Sequence, residues 1–392
     1  MLSIERTDKS ILGRWWWTVD RWLMGAILGL VLAGIILVMA ASPAVADRIG
    51  LPPFHFVIRH LIFLVPAIGL MTALSMMQMR NIWRAASALL AGAFVLLIGT
   101  LVFGADIKGA TRWIHLFGFS LQPSEFIKPA FAVSAAWLIA RQQADPRFPG
   151  MMAATGVYLV LLALLLMQPD LGMSVVLSLI WGVQIFLAGL SFALIALLGI
   201  LGIAGIIGAY FVFPHVQSRI DRFLNPAAGD NYQVQKSLES FHEGGLLGTG
   251  PGEGRIKLYL PDAHADFIFA VAGEEFGLIL TLLLIGIFAF IVMRGMARAW
   301  ESGDIFRILA VTGLLVQFGA QALIHMGSSL QLIPAKGMTL PFVSYGGSSL
   351  LSLGIAMGFV LALTRKEQAR DMFSAARPLP APTIRAARPF FK

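Results

Sequence analysis

Residues 259–277 read YLPDAHADFIFAVAGEEFG, a stretch in which four acids accompany one of the most apolar runs of the chain. A carboxylate within a bilayer is costly, so such acids need either a water-filled cavity or a functional role. Asp262 and Asp266 fall where a loop becomes a helix, so we expect Asp266 at the rim of the membrane. Glu274 and Glu275 follow about two helical turns deeper. The stretch therefore predicts a membrane helix that begins beside a polar site.

The composition of the whole chain supports a membrane protein. Hydrophobic residues make up 58% and charged residues 13%, whereas a soluble domain carries about a quarter charged residues. The absence of cysteine excludes disulfides and thiolate metal sites. Long apolar runs recur, each near the roughly 20 residues that a helix needs to cross a bilayer. We predict an all-α integral membrane protein with ten spans, at about 22–41, 57–77, 85–104, 124–140, 151–167, 172–188, 191–213, 267–293, 306–330 and 345–363.

Three segments follow from these spans. Residues 1–21 are predicted to be a cytoplasmic segment, 22–364 the ten-span membrane domain, and 365–392 a cytoplasmic, disordered tail. Within the membrane domain, residues 214–266 form a long extracytoplasmic (periplasmic) loop between the seventh and eighth spans. No internal repeat is obvious, which disfavours an inverted-repeat transporter.

The basic residues give the orientation. With both termini in the cytoplasm, most of the 29 Lys and Arg residues fall in inner loops and tails, as the positive-inside rule requires. The net charge of +8 therefore reflects membrane topology and not nucleic-acid binding. The remaining basic residues lie outside, where they either pair with acids and lipid headgroups or form a site for an anionic ligand such as a phosphate.

The outer loop GADIKGATRWIHLFGFSLQPSEFIKPA, residues 104–130, supports an anion site. It brings Lys108, Arg112, Trp113, Glu125 and Lys128 close together in sequence. Trp113 is either a platform for a sugar or lipid tail, or a residue of the aromatic belt at the interface. Glu125 and Lys128 share one face of the first turn of a helix. They either neutralise each other or contact a ligand, and for Lys128 we favour the ligand.

Two further motifs join spans on the outer side. In QPDLG, residues 168–172, Asp170 either caps the following helix or orients a cation such as Lys128. The segment IPAKGMTLPFVSYGGSS, residues 333–349, is too rich in proline and glycine for a continuous helix. It adds a cation and several hydroxyl groups that either bind sugar and phosphate oxygens or join membrane helices, namely Lys336, Ser344, Tyr345 and Ser348.

Taken together, the order and spacing of these motifs resemble the SEDS family (shape, elongation, division and sporulation). The motifs are KGATRWI, QPSEFIKPA, QPDLG, KLYLPDAHADFIFAVAGEE and PAKGMTLPFVSYGGSS. PAKG, with Lys336, resembles the division members more than their elongation relatives. The chain departs from the family pattern at His325, where Asn is common, and at Ala335, where Thr is usual. These departures affect the hydrogen bonding of one loop and not the class.

The resemblance implies the ten-span SEDS fold and a peptidoglycan glycosyltransferase of the bacterial inner membrane. Such enzymes polymerise lipid II into glycan strands at the division septum. They work with a class B penicillin-binding protein transpeptidase (FtsI-type) and other divisome membrane proteins. The essential acid of the family falls on Asp266, and its polar cavity residues fall on Trp113, Glu125, Lys128 and Asp170.

The chemistry of the residues is consistent with that activity. A carboxylate such as Asp266 is able to accept the proton of an attacking sugar hydroxyl, a contribution of about 10²–10⁴-fold. The leaving pyrophosphate is already anionic, so it needs cations and no general acid. Arg112, Lys128, Lys336 or a divalent ion (Mg²⁺ or Mn²⁺) would supply that charge. Direct displacement would invert the anomeric carbon.

Three other functions remain open at this stage: a lipid II flippase, an elongation-type polymerase, and a scaffold that only recruits the transpeptidase. A transporter is expected to carry ionisable or broken-helix sites near the midplane. Here the ionisable residues gather at the outer rim, and this asymmetry favours an enzyme that acts on one face of the membrane.

Overall fold

The structure is a computed structural model that describes residues 10–107, 110–116, 119–212, 214–224, 232–334 and 337–366. Two predicted site residues, Lys108 and Lys336, lie outside the described residues, as do residues 1–9 of the predicted N-terminal segment and 367–392 of the predicted C-terminal tail.

In the described part of the chain, ten long apolar helices correspond one for one to the predicted spans. They are α2 (Arg21–Arg48), α3 (His55–Ser75), α4 (Met79–Phe103), α5 (Pro123–Ala144), α6 (Gly150–Met167), α7 (Leu171–Leu187), α8 (Phe192–Val212), α11 (Ile268–Glu301), α12 (Ile305–Ser329) and α13 (Gly347–Leu363). Three shorter helices accompany them: α1 (Ile11–Thr18) near the N-terminus, and α9 (Pro214–Leu224) and α10 (Tyr232–Gly244) in the long loop. By length and composition, seven of the ten are able to cross a membrane, and α7 and α13 are shorter apolar helices.

Aspartates start several of the spans. The carboxylate of Asp20 accepts hydrogen bonds from the first backbone N–H groups of α2, and Asp304 and Asp170 do the same for α12 and α7. Such caps each contribute about 1 kcal/mol. The acids at the helix ends therefore fix the points at which the chain enters the membrane.

The core lies around α12, most of whose residues are buried against α5, α7, α11 and α13. Glycines permit close contact between α13 and α3. A Cβ atom at Gly354 would lie 2.4 Å from the carbonyl oxygen of Ala67, and one at Gly358 would lie 2.9 Å from that of Met71. Small residues of this kind let membrane helices pack backbone to backbone. In contrast, α8 lies at the periphery with most of its described side chains exposed.

The described residues between 104 and 122, a stretch that the sequence suggests to be a loop, form a small antiparallel sheet. Its strands are β1 (Ala105–Ile107), β2 (Ala110–Leu116) and β3 (Phe119–Leu121), in that order. The sheet leads into Gln122, whose backbone N–H donates to Oγ of Ser348 at 2.9 Å. It therefore rests against the start of α13. We call this end of the bundle, with the sheet, α9, α10 and the segment 337–346, the site end, and the opposite end, with α1, the basic end.

The helix α11 is broken at Gly277, whose φ of 71° and ψ of −169° are not helical. The segment that includes the glycine-rich GTGPGEG, residues 248–254, packs against the break. It supplies partners on both sides: the N–H of Leu278 donates to the carbonyl of Gly245 at 3.0 Å, and the N–H of Gly250 donates to that of Glu275 at 3.0 Å. Buried backbone groups freed by a helix break need such partners. The segment is thus part of the packed structure.

Candidate functional site

Lys128 lies at the centre of a buried polar network. Its Nζ atom is 2.8 Å from Oε2 of Glu125 and donates to Oε1 of Gln321 at 3.1 Å. The amide nitrogen of Gln321 in turn donates to Thr339 and to Oγ of Ser349, each at 3.3 Å. The network therefore connects the first turn of α5, the buried face of α12 and the segment that leads into α13.

The pair of Glu125 and Lys128 bears on the alternatives left open by the sequence. Lys128 is 1% exposed and Glu125 4% exposed, so their charges neutralise each other away from solvent. An anionic ligand reaches Lys128 only if the surrounding side chains move. In the structure Glu125 and Lys128 form an ion pair with each other, and contact between Lys128 and a ligand stays a prediction.

Arg112 binds the sheet to the connection between α6 and α7. Its guanidinium donates to the carbonyl of Gln168 at 3.1 Å and to that of Pro169, and its Nε is 3.7 Å from Oδ2 of Asp170. Asp170 also caps α7, so this residue combines the predicted capping role with an ion pair. Its basic partner is Arg112 and not Lys128. Trp113, next along β2, is half-buried.

Asp266 is half-buried in the turn that precedes α11, and its N–H donates to the carbonyl of Asp262 at 2.9 Å. A Cβ atom at Gly337 would lie 3.1 Å from Oδ2 of Asp266. The carboxylate therefore packs directly against the backbone of the segment 337–349. Gly337 is two residues from Thr339, which limits the separation of their Cα atoms to about 7 Å. Asp266 and the network of Lys128 thus contact neighbouring parts of one segment.

The hydroxyl groups of that segment bind the protein itself. Oγ of Ser344 donates to the carbonyl of Ala265 at 2.7 Å, and Oγ of Ser348 accepts from the N–H of Gln122 at 2.9 Å. The N–H of Tyr345 donates to the carbonyl of His264 at 3.0 Å. In this structure the two serines join elements of the site end, and the bonds to residues 264 and 265 position the neighbouring Asp266.

A ring cluster beside Asp266 was not expected from the sequence. The imidazole of His264 stacks on Phe56, with ring centroids 3.9 Å apart, and lies 5.2 Å from the ring of Tyr345. Burial lowers the pKa of His264 to about 4, while Asp262 raises it and Arg48 lowers it to smaller extents. His264 is therefore neutral at pH 7. The only signal in the sequence is its place between the two aspartates of DAHAD.

The two glutamates of the opening stretch bind the glycine-rich segment. The carboxylate of Glu274 accepts from the N–H groups of Ile256 and Lys257 at 2.6 and 2.9 Å. That of Glu275 accepts from the N–H of Gly252 at 3.0 Å and pairs with the ammonium of Lys257. Both acids are 1% exposed. They are buried because they satisfy backbone groups and one lysine, which is the structural role that such a position requires.

Among the residues that the structure describes, no three His, Cys, Asp or Glu side chains lie close enough together to hold a metal ion. A divalent cation bound jointly by protein and pyrophosphate remains a prediction. Fewer protein ligands are needed in that case, because Mg²⁺ keeps waters and takes oxygens from substrate phosphates.

The fold and the site define a class of protein. It is a multi-pass membrane protein with a polar site at one end, formed by a half-buried carboxylate and buried ion pairs. Comparison with known proteins makes this specific. Residues 21–369 match the family model of FtsW, RodA and SpoVE, described as cell cycle protein. The chain belongs to this family, and the resemblance to SEDS proteins predicted from the sequence is confirmed.

Individual relatives agree along nearly the whole chain. A protein of Caulobacter vibrioides named probable peptidoglycan glycosyltransferase FtsW is 46% identical over 365 residues, which cover 93% of this chain and 94% of that protein. A protein of the same name from Coxiella burnetii is 36% identical, covering 88% and 96%.

Two solved structures share the fold. A chain of a peptidoglycan synthase complex that coordinates polymerization and crosslinking is 25% identical, with a TM-score of 0.72, and covers 91% of this chain and 98% of its own. The RodA protein of Thermus thermophilus is 24% identical, with a TM-score of 0.67, and the match covers 90% and 99% of the two chains. These structures confirm the predicted fold class.

Proposed function

We propose that this protein is a peptidoglycan glycosyltransferase that polymerises lipid II into glycan strands. The observation that carries the proposal is the half-buried carboxylate of Asp266, packed against Gly337 of a segment whose next contacts lead to Lys128. The FtsW names of relatives at 46% and 36% identity support the same activity.

In the proposed reaction, Asp266 takes the proton from the acceptor sugar hydroxyl as that oxygen attacks the anomeric carbon of the donor. The bond from the anomeric carbon to undecaprenyl pyrophosphate breaks, and the configuration inverts. Arg112, Lys128 and Lys336, or an added Mg²⁺ or Mn²⁺ ion, stabilise the negative charge on the departing pyrophosphate. Trp113, Ser344, Tyr345 and Ser348 complete the proposed substrate contacts.

The direction of the bundle follows from charge. We place the basic end and both termini in the cytoplasm, because short cytoplasmic loops carry the excess of Lys and Arg. The site end then faces the outside of the inner membrane, where the long loop 214–266 is periplasmic. The proposal also places the action of the enzyme at the division septum.

The proposed partner is a class B penicillin-binding protein transpeptidase, together with other divisome membrane proteins. The structural neighbour from a complex that coordinates polymerization and crosslinking supports a transpeptidase partner. No nucleic acid is required, since the basic charge serves topology.

The test uses the purified full chain with its transpeptidase and lipid II, and measures glycan strands. Asp266→Asn should abolish polymerisation, whereas Asp262→Asn is the matched control, because Asp262 is exposed and lies four residues earlier in the same turn. Polymerisation by a well-folded Asp266→Asn variant would refute the role of the base. Transfer of labelled lipid II across vesicles without polymer would identify a flippase instead. The same assay with a chelator tests the divalent ion.

A further inference from the structure

The basic end of the bundle contains a cavity that the proposed reaction does not use. The cavity has a volume of about 310 Å³ and is lined by the connection between α1 and α2, by the end of α11 and by Lys366, which lies three residues after the end of α13. Its basic lining residues are Arg21, Arg294, Arg298 and Lys366, and its acid is Asp20. The lining therefore has an excess of positive charge.

Asp20 organises two of these arginines. Its carboxylate oxygens accept from Nε of Arg294 at 2.9 Å and from Nε of Arg298 at 2.8 Å. Burial raises the pKa of Asp20, but the hydrogen bonds from Arg294, Arg298 and the N–H of Leu23, together with the charge of Arg294, bring the net pKa below the usual value. Asp20 is thus charged and holds both guanidinium groups in place. Each guanidinium has five N–H donors, of which Asp20 takes one. Arg298 also donates from Nη1 to Oε2 of the exposed Glu301 at 2.7 Å, so Arg21 and Arg294 keep more free donors than Arg298.

Aromatic rings and Lys366 complete the cavity. The guanidinium of Arg21 lies 4.9 Å from the ring centre of Trp17 and 5.4 Å from that of Trp16. The backbone N–H of Lys366 donates to the carbonyl of Thr18 at 3.0 Å, which brings this lysine to the same place. Tryptophan and arginine are the side chains that anchor proteins at the level of lipid headgroups.

A second cavity, of about 370 Å³, adjoins the first because Arg294 and Arg298 line both. It continues along α11 over Phe290, Met293 and Ala297 and is also lined by Glu301, and Met293 is 66% exposed. The two cavities together offer a cationic pocket at the membrane surface and an apolar path from that pocket toward the bilayer.

We propose that this paired cavity binds one anionic phospholipid, with its phosphate among Arg21, Arg294 and Arg298 and an acyl chain along Phe290 and Met293. Arginine binds phosphate oxygens through its planar fork of donors. Basic pockets between membrane helices on the cytoplasmic side suit anionic headgroups. Under the proposed orientation this lipid comes from the cytoplasmic leaflet, opposite to the leaflet that presents lipid II.

The experiment measures lipids retained by the full chain in native mass spectrometry, after exchange from nanodiscs that contain phosphatidylglycerol and phosphatidylethanolamine. We expect one retained phosphatidylglycerol. Arg21→Gln should weaken its retention about fivefold, because a basic side chain near an anionic surface contributes that factor. Arg84→Gln is the matched control: Arg84 also lies over a tryptophan, 5.5 Å from the ring centre of Trp83, but does not line the cavity. Retention should be unchanged in that variant.

A second variant distinguishes loss of lipid binding from misfolding. Asp20→Asn, Arg294→Gln and Arg298→Gln together remove the cluster without leaving a lone buried charge, and should abolish selective retention while thermal unfolding stays cooperative. Unchanged selectivity in this triple variant would overturn the proposal, as would equal loss in the Arg84→Gln control. Inorganic phosphate is added in a separate arm, and its displacement of the lipid at equal concentration would show a phosphate site and refute a lipid site. Because the readout is binding, failure of the glycosyltransferase proposal leaves this result unaffected.

Discussion

The buried pair of Glu125 and Lys128 gives a prediction that separates its two open roles. We consider Lys128→Met, Glu125→Gln and the double variant. In Lys128→Met, Glu125 keeps its charge in a site that is 4% exposed, and Gln321 loses the ammonium that binds its oxygen. Removing one partner of a buried ion pair costs about 3–5 kcal/mol, so this single variant should unfold at a clearly lower denaturant concentration.

The double variant should recover most of that loss, because replacing both members of a buried pair with neutral side chains is often close to neutral. A coupling free energy of at least about 2 kcal/mol between residues 125 and 128 is expected from the double-mutant cycle. The assay is unfolding of the purified chain in mixed micelles, followed by tryptophan fluorescence. A cost below about 1 kcal/mol for Lys128→Met, or strict additivity in the cycle, would refute the reasoning.

Polymerisation by the same double variant then decides the role. If the pair serves the fold alone, restored stability restores glycan synthesis. If Lys128 also meets the pyrophosphate, the double variant folds but polymerises at least about tenfold more slowly, since one charge-assisted hydrogen bond contributes about 1.5–3 kcal/mol.

Three further predictions concern the surroundings of Asp266. Gly337→Ala should lower kcat about tenfold or more with little change in folding. The reason is that its Cβ atom would lie 3.1 Å from the carboxylate of Asp266, and a small displacement of a reacting group lowers the rate strongly. The kinetics of glycan synthesis test this. The pKa of His264 is about 4 in the folded state against 6.5 when unfolded, so the folded state binds fewer protons between these two pH values. The free energy of unfolding should therefore be unaffected by His264 above pH 6.5 and should fall by up to about 3 kcal/mol as the pH drops toward 4. Unfolding measured across this range should show a smaller fall in His264→Phe. Glu274→Gln should lower the free energy of unfolding by about 2 kcal/mol, because the NH₂ group that replaces one carboxylate oxygen cannot accept from the N–H group bound there. Hydrogen exchange should become faster in residues 248–257.

Each of these predictions has its own control and its own contrary outcome. Gly286→Ala has open space around its Cβ atom and should leave kcat unchanged, and equal kinetics for the two glycine variants would argue against crowding of Asp266. An acid-induced loss in His264→Phe as large as in the unmodified chain would exclude His264 as its source. Glu243 is an exposed acid, so Glu243→Gln should not alter exchange; the prediction fails if it does so as strongly as Glu274→Gln.

The ten described helices were predictable because each contains an apolar run bounded by charges or turn residues, although only seven of them are long and apolar enough to be identified by length and hydropathy alone. Two elements were not. The sheet is built from strands of three, seven and three residues, and neither their sequence pattern nor their length distinguishes them from a loop. The break at Gly277 was also missed, since the apolar run continues through it. It depends on the segment 248–257, which meets the break only in the folded chain.

The sequence indicates which residue types belong to the candidate site better than it indicates which residues contact one another there. Among the described residues, Arg112, Glu125, Lys128, Asp170 and Asp266 lie at one end of the bundle, because the loops that join alternate helix ends lie on the same side of a membrane. Their roles in binding and catalysis stay predictions. Their partners depend on side-chain packing: Asp170 pairs with Arg112, and Ser344 and Ser348 bind backbone groups. His264, which lies between two acids, became visible only through its contact with Phe56.

The interruption of α11 has a mechanical consequence. The short outer half, which starts directly after Asp266, is fastened through Glu274 and Glu275 to residues 252–257, whereas the long inner half begins anew after Gly277. A displacement of residues 252–257 is therefore passed to the turn that holds Asp266 through the short half of α11. The bonds from the N–H groups of Leu278 and Ile279 to the carbonyls of Gly245 and Leu246 connect the same loop to the long half. A protein that bound residues 245–257 would therefore change the position of Asp266 and the start of the long half of α11 together.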